Sequence, residues 1–285
     1  MPQIHPQAFV DPSAELDDSV VVESGAYIGP RCRVGARTVL KRGAQVVQDT
    51  TLGSDNVLYP NCVIGGDPQD KGYKAENPGV LIVGDRNVFR ENVTIGRSSE
   101  YGHGLGKPTR IGSGCFFMTC SHVGHNSVVE DNVVLTNGSA IGGHCRIGAN
   151  CNLSGFTHVH QFCRLGEFVM IRGSAGVSMH VPPFVIVDTV NSVGGLNRIG
   201  IRRSGRFSAD DQSQIKEMFR IIYRTGGLLE DRIAHADSSA TLPGARMFVD
   251  FVRATTLDQP PFRRGMVGPR WRRADKHPAA LEIME

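Results

Sequence analysis

The chain has 285 residues, of which 40% are hydrophobic, so it is long enough for one large domain and a smaller one. It contains 34 glycines but one tryptophan, a composition that suits a repeat protein with many tight turns. It shows no run of about 18 apolar residues and no apolar signal-peptide core, so we expect a cytoplasmic protein without an integral membrane segment. The net charge of only +3 gives no reason to expect a nucleic-acid partner.

An apolar residue recurs at every sixth position along much of the chain. One phase runs from Ile4 to Ile64 through eleven aliphatic residues, and another runs from Ile111 to Val177. Val83 begins a short third phase between them. Period six fits neither an amphipathic helix nor a long alternating strand. It predicts a parallel β-helix in which each hexad supplies one short strand and one turn, and three hexads complete a coil of about 18 residues.

A small residue follows each large one by four positions, where we expect a tight turn. Six of the seven cysteines occupy this position, which indicates packing, because a buried cysteine behaves as a small hydrophobe. The exception is Cys120, directly before Ser121, for which a nucleophilic role stays open. The six packing cysteines are Cys32, Cys62, Cys115, Cys145, Cys151 and Cys163.

Breaks in the phase predict two insertions outside the prism, at about 65–80 and 96–109, where binding residues are often carried. The repeat ends near a Val-Pro-Pro sequence, so we expect the β-helix to occupy residues 1–187. A linker and a C-terminal helical domain are expected at 188–257. The basic tail at 258–285 contains Pro and Gly, and we expect it to be weakly ordered.

The helical domain is predicted from capping and periodicity. Ser208 and Asp211 have the spacing of a capping box, and an apolar face follows until Gly226 ends the helix. A second helical stretch is predicted near 246–253. Both lie after the repeat, which separates the chain into a β part and an α part.

Histidines concentrate in the second half of the repeat, where five of the ten lie between residues 122 and 160. His125 and His144 are 19 residues apart, about one coil, so they are predicted to lie one above the other on one edge. His160 follows near the same edge one coil further. Titratable groups that cluster on outward positions of a repeat indicate a candidate site.

These histidines lie in motifs that resemble the UDP-N-acetylglucosamine 3-O-acyltransferase family, which begins lipid A synthesis. The motifs are residues 121–126 (Ser-His-Val-Gly-His-Asn), 141–144 (Ile-Gly-Gly-His) and 159–163 (Val-His-Gln-Phe-Cys). The similarity covers residues 1 to about 255. Further matches are Gln69-Asp70, residues 181–184 (Val-Pro-Pro-Phe), Arg202-Arg203, Phe207-Ser208 and residues 222–226 (Ile-Tyr-Arg-Thr-Gly).

The resemblance implies a left-handed parallel β-helix with a C-terminal helical domain, assembled as a homotrimer with active sites between neighbouring prisms. The donor would be a 3-hydroxyacyl thioester on acyl carrier protein. The acceptor would be the 3-hydroxyl of UDP-N-acetylglucosamine or a related UDP-amino sugar. Neither a separate cofactor nor a metal is implied, and no covalent enzyme intermediate is required.

The resemblance also implies roles for individual residues. His125 occupies the general-base position, where a placed imidazole contributes about 10²–10⁴-fold by taking the proton of a poorly nucleophilic hydroxyl. The backbone N–H of Gly143 occupies the position that stabilises the oxyanion. Substrate-binding positions are occupied by Asp70, His122, His144, His160, Gln161, Asn197 and Arg203.

The resemblance also implies that the basic helices bind acyl carrier protein. Their arginines would steer the acidic carrier protein, although a solvated helix face explains the same charges equally well. The residues concerned are Arg202, Arg203, Arg206, Arg220 and Arg224.

Three departures from the family pattern concern the site. Asn126 stands where an acid usually follows the base; its amide can orient the imidazole but offers no negative charge. Gly96 replaces a histidine, and Ile199 replaces a glutamate near the nucleotide. These changes leave the acyl length and the identity of the sugar nucleotide open.

Three other functions remain open from the sequence. An N-acyltransferase would act on an amino group of a related UDP-amino sugar. A trimeric zinc lyase of the γ-carbonic-anhydrase type would need three histidines and a water on one metal. A non-catalytic binding solenoid would use the same prism without the histidine chemistry.

Overall fold

The computed structural model describes residues 1–76, 79–99 and 107–269. The expected fold is confirmed: the chain winds as a left-handed parallel β-helix whose three sheets form the faces of a prism. Every third strand pairs in parallel, and Val21 aligns with Val39 and then with Val57, a register of one 18-residue coil.

Each face of the prism collects one strand from each coil. The first sheet contains β1, β4 and every third strand to β25, and then β27; the second runs from β2 to β26 and the third from β3 to β24. The prism strands are Gln3–Ile4 (β1), Phe9–Val10 (β2), Glu15–Leu16 (β3), Val21–Val22 (β4), Tyr27–Ile28 (β5), Arg33–Val34 (β6), Val39–Leu40 (β7), Gln45–Val46 (β8), Thr50–Leu52 (β9), Val57–Leu58 (β10), Val63–Gly66 (β11), Leu81–Val83 (β12), Val88–Phe89 (β13), Thr94–Gly96 (β14), Thr109–Ile111 (β15), Phe116–Phe117 (β16), His122–Val123 (β17), Val128–Val129 (β18), Val134–Leu135 (β19), Ala140–Ile141 (β20), Arg146–Ile147 (β21), Asn152–Leu153 (β22), His158–Val159 (β23), Arg164–Leu165 (β24), Met170–Ile171 (β25), Gly176–Val177 (β26) and Val185–Thr189 (β27).

The hexad explains both the interior and the corners of the prism. The second residue of each short strand points inward, as Val123 and Ile141 do with no exposed surface. In most hexads after the first coil, the third residue after it adopts a left-handed backbone, with φ of 59° at both Asn126 and His144. Asparagine and histidine are among the residues that tolerate this conformation best. The six packing cysteines are buried as predicted, whereas Cys120 is exposed at a corner.

The two insertions leave the register of the first sheet unchanged. Val57 pairs with Val88 and Val88 with Phe116, so the strands above and below each insertion remain aligned. The first insertion joins β11 to β12, and the second joins β14 to β15. Residues 77–78 and 100–106 of these insertions lie outside the described residues.

A helical unit follows the prism. Ser192–Leu196 (β28) pairs antiparallel with β27 and leads into Arg198–Arg203 (α1), Ala209–Arg224 (α2), Leu229–Ser239 (α3) and Pro243–Thr256 (α4). The oxygen of Ser208 accepts a hydrogen bond from the Asp211 amide at 3.1 Å, which is the predicted cap of α2. Gly268–Pro269 (β29) then pairs with β28.

The expectation of a weakly ordered tail is wrong for its first part. Asp258 forms an ion pair with Arg164 and lies 3.1 Å from His180, which is fully buried. The amide of Val267 donates to the carbonyl of His180 at 2.9 Å. The segment is therefore packed against the end of the prism. Residues 270–285 of the predicted tail lie outside the described residues.

No helix in the described ranges is long and apolar enough to span a bilayer.

Candidate functional site

The site is built around a hydrogen bond between neighbouring residues at one prism corner. Nδ1 of His125 lies 2.8 Å from Oδ1 of Asn126, and both side chains are buried. The amide nitrogen of Asn126 donates to the carbonyls of Ser99 at 3.0 Å and Lys107 at 3.3 Å, while its oxygen accepts from the Ser99 amide at 2.9 Å. These bonds fix which end of the amide faces the imidazole.

The orientation of Asn126 determines the tautomer of His125. An amide oxygen only accepts, so in the neutral imidazole of His125 the hydrogen lies on Nδ1 and Nε2 keeps a lone pair. The backbone of Gly143 lies against this nitrogen, and a Cβ at position 143 would be 2.8 Å from Nε2. Glycine therefore leaves Nε2 free to accept a proton from a bound molecule.

His144 lies beside His125, as the spacing predicted. The two rings meet edge to face, with centroids 5.0 Å apart, and the other face of His144 stacks on Phe162 at 4.9 Å. Phe262 then contacts Phe162 edge to face at 5.4 Å. His144 and Phe162 occupy the same corner position in successive coils, which is why their rings stack.

His122 lies on the neighbouring face of the prism. Its Nδ1 is 2.7 Å from the hydroxyl of Thr94. Burial lowers the pKa of His122, and the nearby His125 lowers it further. A neutral imidazole beside His125 adds no fixed positive charge to the site.

The two departures next to this corner have different consequences. A Cβ at Gly96 would start in ordinary contact with the backbone of His125, at 3.4 Å from its nitrogen, so a larger side chain there would crowd this residue. Asn126, by contrast, uses its amide hydrogens structurally, which an acid at this position could not do.

His160 and Gln161 lie one coil further along the same edge. His160 shares a cavity of about 420 Å³ with His122. Arg264 reaches this point from the C-terminal segment, donating from Nη2 to Nδ1 of His160 at 2.8 Å and to the carbonyl of Gln161 at 2.9 Å. The sequence does not predict this contact. It joins residues 104 positions apart, and Arg264 lies outside the six-residue repeat.

Asp70 lies in the first insertion, where its carboxylate accepts from the Gly72 amide at 2.8 Å. The fully buried Arg97 holds this insertion by donating to the carbonyl of Gly65 at 2.9 Å and to Asp67 at 2.5 Å. Asp70 thus belongs to a folded loop, but no contact in the described ranges joins it to His125.

Asn197 and Arg203 lie elsewhere in the single chain. They line a cavity of about 1040 Å³ between the first sheet and helices α1 and α2, together with Ile199. Asn197 caps α1 by accepting from the Gly200 amide at 2.9 Å and donates to the carbonyl of Phe168. Its side chain therefore has a structural role that the sequence did not indicate. Arg203 is exposed in the last turn of α1.

Within residues 1–76, 79–99 and 107–269, no three His, Cys, Asp or Glu side chains are grouped to hold one metal ion.

A prism of six-residue repeats with a buried histidine pair at its corner defines the class of hexapeptide-repeat acyltransferases. Residues 180–267 match the family model described as UDP-N-acetylglucosamine O-acyltransferase, domain 2. An acyl-(acyl-carrier-protein)–UDP-N-acetylglucosamine O-acyltransferase from Anaeromyxobacter sp. is 40% identical over 254 residues, covering 88% of this chain and 97% of the relative. The chain belongs to this family.

Solved structures agree with this relationship over nearly the whole chain. The UDP-N-acetylglucosamine O-acyltransferase of Moraxella catarrhalis gives a TM-score of 0.85 at 31% identity, covering 93% of this chain and 99% of that one. The UDP-N-acetylglucosamine acyltransferase of Francisella novicida gives a TM-score of 0.87 at 30% identity, with coverage of 99% and 100%.

Proposed function

We propose that the protein transfers a (3-hydroxy)acyl group from acyl carrier protein to the 3-hydroxyl of UDP-N-acetylglucosamine in lipid A biosynthesis. The family relationship supports this reaction, since the Anaeromyxobacter relative is named for this donor and acceptor and is matched over 97% of its length. The thioester itself activates the acyl group, so the proposed reaction needs no separate cofactor. We also propose a cytoplasmic location for the protein.

The lone pair on Nε2 of His125 is the observation that carries the mechanism. In the proposed step, Nε2 takes the proton of the sugar 3-hydroxyl while the sugar oxygen attacks the thioester carbon. The carbon–sulfur bond then breaks, and the imidazolium returns its proton to the departing thiolate. Asn126 keeps the ring in the tautomer that this step requires.

The backbone N–H of Gly143 is proposed to stabilise the oxyanion. Gly143 adjoins the base, and among the described residues its amide donates to no protein acceptor. A placed donor of this kind contributes on the order of 10²-fold or more in rate. The acyl oxygen would lie between this amide and Nε2 of His125.

A covalent route through a thiol is disfavoured by the state of the cysteines. Burial raises the pKa of Cys62 to about 12 and those of Cys115 and Cys163 to about 11, so these thiols remain protonated. Cys120 is exposed at a corner, where it has a left-handed backbone, and no hydrogen bond among the described residues joins it to His125. Direct transfer to the sugar is the simpler route.

A homotrimer is proposed because the single chain separates the expected substrate contacts. The histidines line the second sheet and its corner, whereas Asn197 and Arg203 line a cavity on the first sheet. Packing the first sheet of one chain against the second sheet of the next would bring both sets into one cleft. A half-buried apolar stripe on the first sheet supports such packing: Val21, Val39, Val57, Val88, Phe116 and Val134.

Acyl carrier protein is proposed to dock on the helical unit. Arg198, Lys216, Arg220 and Arg224 line a cavity of about 650 Å³ on this surface. Their positive charge complements an acidic carrier protein, and such steering weakens as salt rises.

A second acceptor is favoured by one observation, the neutral Asn126 beside the base. An amino group attacks a thioester with less help from a base than a hydroxyl does. N-acylation of a related UDP-amino sugar is therefore the alternative reaction for the same site.

One experiment separates these reactions. The purified protein is incubated with 3-hydroxyacyl carrier protein and either UDP-N-acetylglucosamine or its 3-amino analogue, and products are identified by mass spectrometry and hydroxylamine treatment. The proposal predicts an acylated UDP-N-acetylglucosamine whose ester is cleaved by hydroxylamine. Acylation of the amino analogue alone would favour the alternative, and acylation of neither would contradict both.

A further inference from the structure

The C-terminal strap, residues 258–267, forms part of the histidine site. One end is held by the ion pair between Asp258 and Arg164. The other end is held by two backbone hydrogen bonds, from the His180 amide to the Gly265 carbonyl at 2.8 Å and from the Val267 amide to the His180 carbonyl at 2.9 Å. Between these anchors the strap crosses the edge that carries His160.

Arg264 is the strap residue that touches the site. Its Nη2 donates to Nδ1 of His160 and to the carbonyl of Gln161, at 2.8 and 2.9 Å. Its guanidinium carbon lies 5.8 Å from the centre of the Phe162 ring. These three contacts give the guanidinium a defined position beside the imidazole.

The chemistry of the guanidinium determines the tautomer of His160. Arginine remains protonated and has no acceptor, so the atom that receives its hydrogen bond must hold a lone pair. Nδ1 of His160 therefore carries no hydrogen, and Nε2 carries it. This is the opposite of His125, whose Nδ1 donates to Asn126 and whose Nε2 holds the lone pair.

A competing contact shows why Arg264 matters. Nδ1 of His160 lies 3.2 Å from the carbonyl of Gln161, and that carbonyl alone would favour a hydrogen on Nδ1. Arg264 donates to both atoms and thereby removes this preference. Without the guanidinium, the same imidazole would invert its tautomer.

We propose that Arg264 is a positioning residue that holds His160 as a neutral imidazole with its hydrogen on Nε2. His160 then offers a hydrogen-bond donor to an oxygen of the substrate, while His125 offers an acceptor to the hydroxyl proton. The two imidazoles divide these tasks because different neighbours, Asn126 and Arg264, contact their Nδ1 atoms. The substrate part of this inference rests on the proposed acyl transfer; the tautomer part does not.

The test uses the full chain labelled with ¹⁵N-histidine. The nitrogen resonances of His160 are assigned by their loss in His160→Gln, and their shifts report which nitrogen is protonated. We expect a hydrogen on Nε2 in the unaltered protein and on Nδ1 in Arg264→Met, which keeps the apolar stem. Arg264→Lys retains a charged donor and should retain the original tautomer. A hydrogen on Nδ1 in the unaltered protein, or no inversion in Arg264→Met, would overturn the inference.

Activity gives the second readout. Arg264→Met should lower kcat/KM about tenfold or more, the effect of one lost hydrogen bond to a charged or strongly polar group, and Arg264→Lys should recover most of it. Arg263→Met is the matched control, because Arg263 is exposed next to Arg264, and it should change neither readout. Equal losses in Arg263→Met and Arg264→Met would contradict the positioning role. An inactive unaltered protein would contradict the proposed function, while the tautomers remain measurable.

Discussion

Nδ1 of His125 lies 2.8 Å from Oδ1 of Asn126, and the same amide bonds the backbone of Ser99 and Lys107 at the base of the second insertion. The side chain of Asn126 thus orients the imidazole and also anchors the second insertion through hydrogen bonds. An acid at this position could perform the first task but not the second, because a carboxylate has no hydrogen to donate.

Asn126→Asp should therefore have two separate effects, one on stability and one on the pH dependence of activity. The carbonyls of Ser99 and Lys107 lose their donor, so the free energy of unfolding should fall by about 1–3 kcal/mol. The new carboxylate should stabilise the protonated imidazole, which moves the acidic limb of the kcat/KM profile to higher pH. Denaturant unfolding and pH–rate profiles measure the two effects. Asn132→Asp is the control, because Asn132 has the same position in its hexad but lies at a different corner of the prism. An unmoved limb would mean that residue 126 does not act on the base.

Gly143→Ala should abolish most activity without unfolding the prism. Its Cβ would lie 2.8 Å from Nε2 of His125, so the methyl group would displace the ring or cover its lone pair. We expect kcat to fall by at least about 10²-fold, the loss typical of a misplaced base or oxyanion donor. Gly66→Ala, whose Cβ would meet Val63 at an ordinary 3.5 Å, should retain activity. Full activity of Gly143→Ala would contradict the close approach.

The C-terminal strap should loosen in mild acid. Burial, with help from Arg164 and Arg264, lowers the pKa of His180 below 6.5, although the Phe262 carbonyl and Asp258 oppose the shift. The unfolded chain then binds a proton more readily than the folded chain, so stability is lost as pH falls below about 6.5 towards the lowered value. As the pH is lowered from 7.5 to 5.5, hydrogen exchange at the Val267 amide should become faster relative to its intrinsic rate. Exchange that is independent of pH after correction for intrinsic rates would contradict this linkage.

Metal removal should not affect the reaction. The proposed step uses an imidazole base and a backbone donor, so dialysis against EDTA should leave kcat/KM unchanged, and added zinc should not raise it. Loss of activity on dialysis with recovery on zinc addition would favour the zinc-dependent alternative.

The period of six made the prism and its corner predictable. Once Val123 and Ile141 are placed inside, His125 and His144 must meet at one corner, and their rings are 5.0 Å apart. Helix α3 was not predicted. Its N-cap residue, Leu228, has no side chain that can cap a helix, so the sequence does not indicate where the helix begins. The contact between Arg264 and His160 was not predicted for another reason, because it depends on how the strap folds back over the prism.

The central claim is that His125 removes the proton of the acceptor. His125→Ala removes the lone pair, so kcat/KM for acyl transfer to UDP-N-acetylglucosamine should fall by at least about 10²-fold in a protein that circular dichroism shows to be folded. His235→Ala, an exposed histidine on α3, should match the unaltered protein. A loss confined to His125→Ala is the predicted result. Activity of a folded His125→Ala protein close to that of the unaltered enzyme would contradict the mechanism.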